Sequence, residues 1–452
     1  MTSSALSQRL LDEYAEAREA LPAGVVGAER RHEAIQALSA QGLPMTREEN
    51  WRYANLRPLE RARFVPAAAA ASVAISGPPG AADVPPILEG LARYTFVDGR
   101  FAPQLSRPAQ VPGLTVRHLH QSAGSRGAGA TSASARLPRA LPATGHFPEG
   151  RLALLNEAFA TDGAAIDVSA AAGEPARVEL LFIAVADAEA GASYPRVQVT
   201  LEPNGRLVLI ERHLGAGAGK SFVNSSIELE LSGGAHLTHY RLQQAGARAT
   251  WTDTLSATLA AEARYNLFSI QTGALSARST TYVAMAGAGS QLSFSAAALG
   301  DRQQVQDHFA LVEHLAPRAR TEQTFRGIAS GRARVAFNGK IAVRECAAGT
   351  DSRQSLRGLL AGPEAEIDVR PQLEIYTDDV RCSHGATAGK LDADMLFYLL
   401  SRGLAPEVAQ RLLKWAFLED VVSRIELPEL RRQIERGLAG QMAEADSLKE
   451  LL

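Results

Sequence analysis

One thiol and one imidazole stand two residues apart near the end of the chain, Cys382 and His384. They lie in the run Pro371-Gln-Leu-Glu-Ile-Tyr-Thr-Asp-Asp-Val-Arg-Cys-Ser-His-Gly-Ala-Thr387. Cysteine and histidine are soft and borderline ligands for iron, and residues two apart in an extended segment share a face. Two protein donors do not complete a metal site, so a partner would have to bring the rest. Neither the number nor the spacing fits a zinc site. Two plainer readings compete: a buried cysteine acting as a small apolar residue, and a histidine satisfied inside a core. A nucleophilic Cys–His pair is a third, but such dyads are normally assembled from distant positions.

Other candidates are weaker. Cys346, in Val343-Arg-Glu-Cys-Ala-Ala-Gly349, is expected to be structural. His308 and His314 are six apart and would share a sheet face, as surface or cavity histidines or, less simply, as metal donors. His236 and His239 are three apart and face opposite ways in a strand. Asp378 and Asp379 are consecutive and do not form a catalytic carboxylate pair. The string from Leu214 to Ser221, ending Gly-Lys-Ser, imitates a phosphate loop, but Leu214 stands where the first glycine belongs. The residues after it favour a strand, whereas a phosphate loop must feed a helix N-terminus.

These residues sit in a chain of three textures. Leu6, Leu10, Leu11, Tyr14, Ala17 and Leu21 recur at helical spacing, and helix continues around 31–38. Stretches Ala67–Pro86 and Ser122–Pro148, rich in Ala, Gly, Ser and Pro, read as linkers or surface loops. Between them Tyr94–Phe101 reads as a hairpin with Asp98-Gly99 as its turn. From about Ala164 the segments become short and β-rich. Breaks at 204, 233, 261, 288 and 317 are spaced 29, 28, 27 and 29 residues, and a second series at 217, 246, 273, 300 and 330 interleaves with it. A repeat of about 28 residues with two extended segments marks a solenoid. The expectation is a flattened, right-handed parallel β-helix, with an antiparallel sandwich of hairpins as its rival. The break at Ala260–Ala263 is the weakest of the series.

Past the Cys/His strand the chain is helical again. Asp392 can cap a helix ending at Gly403. Pro406 starts a second with the stripe Val408, Leu412, Leu413, Ala416, Phe417, Val421 and Ile425; Pro428 starts a third. The stripe, with Trp415 and Phe417, is most simply a helix packing on its neighbours, or else a partner surface; the tail could cap the open end of the solenoid or dock another protein.

The chain has 452 residues, 46% hydrophobic and 21% charged, with a net charge of −2. No basic stripe in it is dense enough to propose nucleic acid as a partner. Two cysteines make no disulfide framework and fit a reducing compartment. No secretory signal is read at the start and no 18-residue apolar span occurs, so a cytoplasmic location off the membrane is expected.

The Pro371–Thr387 run, followed by Leu396-Phe-Tyr-Leu-Leu-Ser-Arg-Gly403, resembles the SufB/SufD family of iron–sulfur cluster assembly scaffolds. Gly339-Lys-Ile-Ala-Val343, Gly349-Thr-Asp-Ser-Arg-Gln354 and Arg47-Glu-Glu-Asn-Trp-Arg-Tyr53 add to the match, which spans about residues 45–430. Within the family the SufD branch fits better, since SufB chains usually carry more cysteines. The resemblance implies a helical N-terminal domain with linker (1–90), a β-helix core (91–390, including a flexible 122–148 segment) and a helical C-terminal domain (391–452). It implies a non-catalytic scaffold that pairs with SufB through the β-helix and docks the SufC ATPase through Leu412, Trp415, Phe417 and Val421. His384, and with less support Cys382, would face a SufB cysteine and share a transient iron–sulfur cluster, none being held tightly by the isolated chain. When alone the chain could form a homodimer. Two departures stand out: Cys346, where the family usually has none, and the Ser122–Pro148 stretch. The alternatives are a SufB-like paralogue holding the cluster itself, or a β-helix enzyme acting on polysaccharide, which would need a carboxylate cluster along one groove.

Overall fold

The computed structural model describes residues 5–66, 84–120, 148–170, 174–185, 191–216 and 219–442. The two stretches read as linkers lie almost wholly outside the described residues, as does the break at Gly217.

From Pro195 onward the chain alternates between two ten-stranded sheets, and each strand pairs in parallel with the strand one coil away. This is a parallel β-helix, not the antiparallel sandwich. The repeat has a visible cause at one corner. Asn204, Glu262 and Arg318, with φ of 61°, 57° and 58°, alternate coil by coil with Gly234, Gly289 and Gly349 at 67°, 71° and 73°. Each of these six residues donates its N–H to a carbonyl of the next coil, from Asn204 to Gly233 (3.0 Å) through Gly349 to Asp379 (2.7 Å). The corner is therefore a ladder of left-handed residues stitched along the axis. The break at Ala260–Ala263 is faint in sequence because a glutamate, not a glycine, takes the left-handed position there.

Between the sheets lies an apolar core that includes Leu207, Ile227, Leu255, Tyr265, Val283 and Phe294. Midway along the axis it gives way to charge. Arg241 bridges two carboxylates, with Nε 3.0 Å from Glu211 Oε2 and Nη2 2.7 Å from Asp253 Oδ2. Nε2 of His213 lies 2.5 Å, and Nε2 of His239 3.1 Å, from the same Glu211. Burial alone would raise the Glu211 carboxyl, but Arg241 and the two imidazoles hold it well below the ordinary range. Burial raises Asp253 despite Arg241. None of this cluster reaches solvent by more than a few per cent.

His308 and His314 are inside as well, on one inner face. His308 stacks on Phe337 (5.9 Å between centroids), and His314 Nε2 lies 2.9 Å from Thr321 Oγ1. Burial pushes His308 down to about 3 and His314 down to about 4, from an ordinary 6.5. Below pH 6.5 the unfolded chain thus binds more protons than the folded one. Stability is expected to fall as pH drops from about 6.5 towards 4, by up to about 1.4 kcal/mol per pH unit for each histidine. His314→Gln should flatten that slope in denaturant titrations between pH 6.5 and 4.5; an unchanged slope would refute the assignment.

The N-terminal part flanks the β-helix. Helices α1 (Ala5–Ala17) and α2 (Ala28–Gln41) pack with α3 (Arg151–Phe159) around Leu10, Tyr14, Leu38, Trp51 and Phe159, and this cluster continues into Tyr194 and Phe222. Trp51 lies under the Arg278 guanidinium, 4.2 Å from ring centroid to Cζ, which ties the Arg47–Tyr53 element to a strand of the solenoid. The Tyr94–Phe101 hairpin forms as read, pairing Phe96 with Phe101 around left-handed Asp98 and Gly99.

Candidate functional site

The last coil consists of strands Glu366–Ile375 and Val380–Lys390, and each ends its sheet. In the register, Cys382 lies opposite Ser352 and His384 opposite Gln354. Both therefore continue inward-facing columns: Thr321–Ser352–Cys382 and Gln323–Gln354–His384. Gln354 Nε2 donates to Gln323 Oε1 at 2.7 Å and to the Gly339 carbonyl at 3.1 Å. Behind these columns Phe294, Phe325 and Phe337 close the interior, with 4.7 Å between the centroids of the last two.

The next position in the His384 column is solvent. Cys382 packs half-buried against the core, while His384 and the residues after it on the strand are exposed. An imidazole on the inner wall of an open coil can donate to something seated against that opening. Burial, with the Asp351 carboxylate adding to it, pushes the Cys382 thiol up, so it stays protonated near neutrality and is the poorer donor of the two. Among the described residues, no three His, Cys, Asp or Glu side chains converge on a point that could hold a metal.

The C-terminal helices leave this opening uncovered. Asp392 accepts from the N–H groups of Asp394 (2.9 Å) and Met395 (3.0 Å) and starts α4 (Ala393–Ser401), and Gly403 at φ 89° follows its end. Helix α5 (Pro406–Val422) then lies along the outer face of a sheet, with Trp415, Leu418, Val421 and Val422 on Leu299, Ile328 and Leu359. Arg326 pairs with Asp420, and Arg424 Nη1 lies 2.9 Å from Glu322 Oε1. Helix α6 (Pro428–Gln441) buries Leu430, Ile434 and Leu438 in the same cluster. The tail therefore does not cap the solenoid.

This changes what the α5 stripe means. Trp415 and Val421 are buried against the chain's own sheet, and Leu412 and Phe417 are half-buried. The stripe is broad because the helix has a sheet on one side and α6 on the other. The apolar surface that remains is on α4, which buries no residue and exposes Met395 (59%), Phe397 (72%) and Tyr398 (56%). Ile375 and Tyr376, at the end of the last coil, are exposed too.

One other case corrects the sequence reading and one agrees with it. Cys346, expected to be structural, sits on an exposed turn with Sγ donating to the Leu315 carbonyl at 3.1 Å. The Gly-Lys-Ser string feeds strand Ser221–Leu231 and no helix, so it forms no phosphate loop. Sequence reasoning missed the Glu211–Arg241–Asp253 cluster. Its trace was there: Glu211 and His213, then His239 and Arg241 one coil later, all on the inward parity.

The segment that matches known proteins includes most of the solenoid. Residues 182–417 match the family model described as SUF system FeS cluster assembly, SufBD core domain. The chain is 29% identical over 402 residues to the iron–sulfur cluster assembly protein SufD of Escherichia coli, covering 88% of this chain and 89% of that one. It is 28% identical to an iron–sulfur cluster assembly SufBD family protein of Synechocystis, covering 90% and 89%. With a β-helix that carries the matched segment almost entirely, the chain belongs to the SufBD family of the SUF iron–sulfur cluster assembly system.

Proposed function

We propose that this chain is the SufD-type scaffold subunit of a SufB–SufC–SufD complex, and that it is not itself a catalyst. One observation carries the reading: the final coil ends in two strands, each with one unpaired edge, whose inner wall presents His384 to solvent. Unpaired strand edges accept another chain's strands, so SufB docks by continuing both sheets. His384 then lies at the joint, facing a SufB cysteine, with Cys382 just inside. The nascent cluster is cargo held between the subunits, and iron is acquired there.

SufC, which supplies the ATP hydrolysis, docks on the C-terminal helices. The exposed face of α4 suits this better than the α5 stripe, whose Trp415 and Val421 hold the helix on the sheet. A cluster of exposed aromatic and Met side chains is the composition of interface anchors.

Co-expression with SufB and SufC tests the assembly. Substituting Met395→Asp together with Phe397→Asp is expected to abolish co-purification of SufC while SufB remains, with the isolated chain's stability moved by less than about 0.5 kcal/mol. Retention of SufC at parental yield would remove α4 from the docking site.

A further inference from the structure

A cleft of about 810 Å³ opens where the N-terminal segment meets one corner of the β-helix. Among the described residues, seven cationic side chains line it against a single carboxylate, Glu60. Arg52, Arg57, Arg61 and Arg63 come from the N-terminal segment. Lys220, Arg248 and Arg334 come from the corner where successive coils begin a strand, in the row that continues through Leu275 and Val305. In a chain of net charge −2, this is a local concentration of one sign.

Arg334 has an acidic partner, Glu366, at 2.6 Å. Arg52, Arg57, Arg61 and Lys220 are exposed and form no ion pair among the described residues. Like charges gathered in one concave site repel each other and raise the local concentration of anions. The floor is not only charged. Pro58 and Leu275, both half-buried, give it an apolar wall, and the almost wholly buried Phe222 belongs to the lining as well. Ser221 and Thr250 add hydroxyls. The volume is that of a small-molecule site. Lys220 and Ser221, the end of the false phosphate loop, thus take part in a cleft of a different construction.

We propose that this cleft binds a polyphosphate ester bearing a flat ring, the class to which nucleoside diphosphates belong. The phosphates lie among Arg52, Arg57, Arg61 and Lys220, and the ring lies against the half-buried Pro58 and Leu275. The site is independent of the last coil and of the chain's place in the complex.

Calorimetric titration of the full chain at low salt with ADP, inorganic pyrophosphate, adenosine and a polyglutamate peptide tests it. ADP is expected to bind, pyrophosphate to bind several-fold more weakly and adenosine not at all, with ADP binding weakened by added salt. Arg57→Gln with Arg61→Gln should weaken ADP binding by at least about tenfold, since charge-assisted contacts are lost, at an unchanged melting temperature. Failure of both ADP and pyrophosphate to bind, or indifference to the double substitution, overturns the proposal. Equal affinity for ADP and pyrophosphate overturns the ring contact, and displacement of ADP by polyglutamate would assign the cleft to an acidic protein instead.

Discussion

Arg241→Met is expected to cost the folded chain about 3–5 kcal/mol, the usual consequence of removing one partner from a buried ion pair. The guanidinium touches both Glu211 and Asp253 inside the solenoid. Without it, two buried carboxylates keep only the imidazoles of His213 and His239 and the Ser279 hydroxyl near them. The loss has a pH signature. An unpaired buried carboxylate has a folded pKa above its unfolded one, so it contributes stability at low pH and loses it as pH rises. The deficit relative to the parent should therefore shrink between pH 7 and pH 5.5. Denaturant titrations at the two pH values read both effects. A loss below about 1 kcal/mol, or a deficit that widens on acidification, would mean the cluster is not held as described.

The second large effect is on assembly rather than stability. His384→Ala is expected to lower cluster formation on the SufB–SufC–SufD complex by at least about tenfold, since even an outer-shell partner of a metal ligand is worth 10–100-fold. The side chain is exposed. The isolated chain should therefore melt as the parent does, and the complex should still form. Cys382→Ser should have the smaller effect, because its protonated thiol is half-buried against the core. The ultraviolet–visible absorbance of the reconstituted complex gives the comparison. Parental cluster yield from His384→Ala would exclude this imidazole from the joint.

Much of this architecture was legible from residues 204–349, because a coil of fixed length must turn at fixed intervals and glycine marks many of those turns. The signal weakened at Glu262, where a side chain occupies a conformation glycine usually takes. Period-two alternation correctly put Cys382 and His384 on one face. It could not tell that this face ends in solvent, which depends on where the C-terminal helices lie. The α5 stripe left two readings open, packing on its neighbours or meeting a partner, for a related reason: an apolar stripe records that a helix is covered, not by what. Trp415 is covered by the chain's own sheet, and the exposed residues of α4 sit on a helix too short to show a face in sequence. The basic cleft was hidden because Arg52, Arg57, Arg61 and Arg63 lie roughly 160 residues from Lys220 and roughly 270 to 280 from Arg334, and meet them only where the N-terminal segment packs on the stacked coils.

The unequal ends of the solenoid have a dynamic consequence. Amide hydrogens of the central coils, locked around Arg241, should exchange only through global opening. Protection should then decline coil by coil towards Lys390, where each strand has a neighbour on one side alone. The terminal turn can loosen and refit against whatever meets it while the middle holds still, so the molecule combines a rigid shaft with a compliant tip.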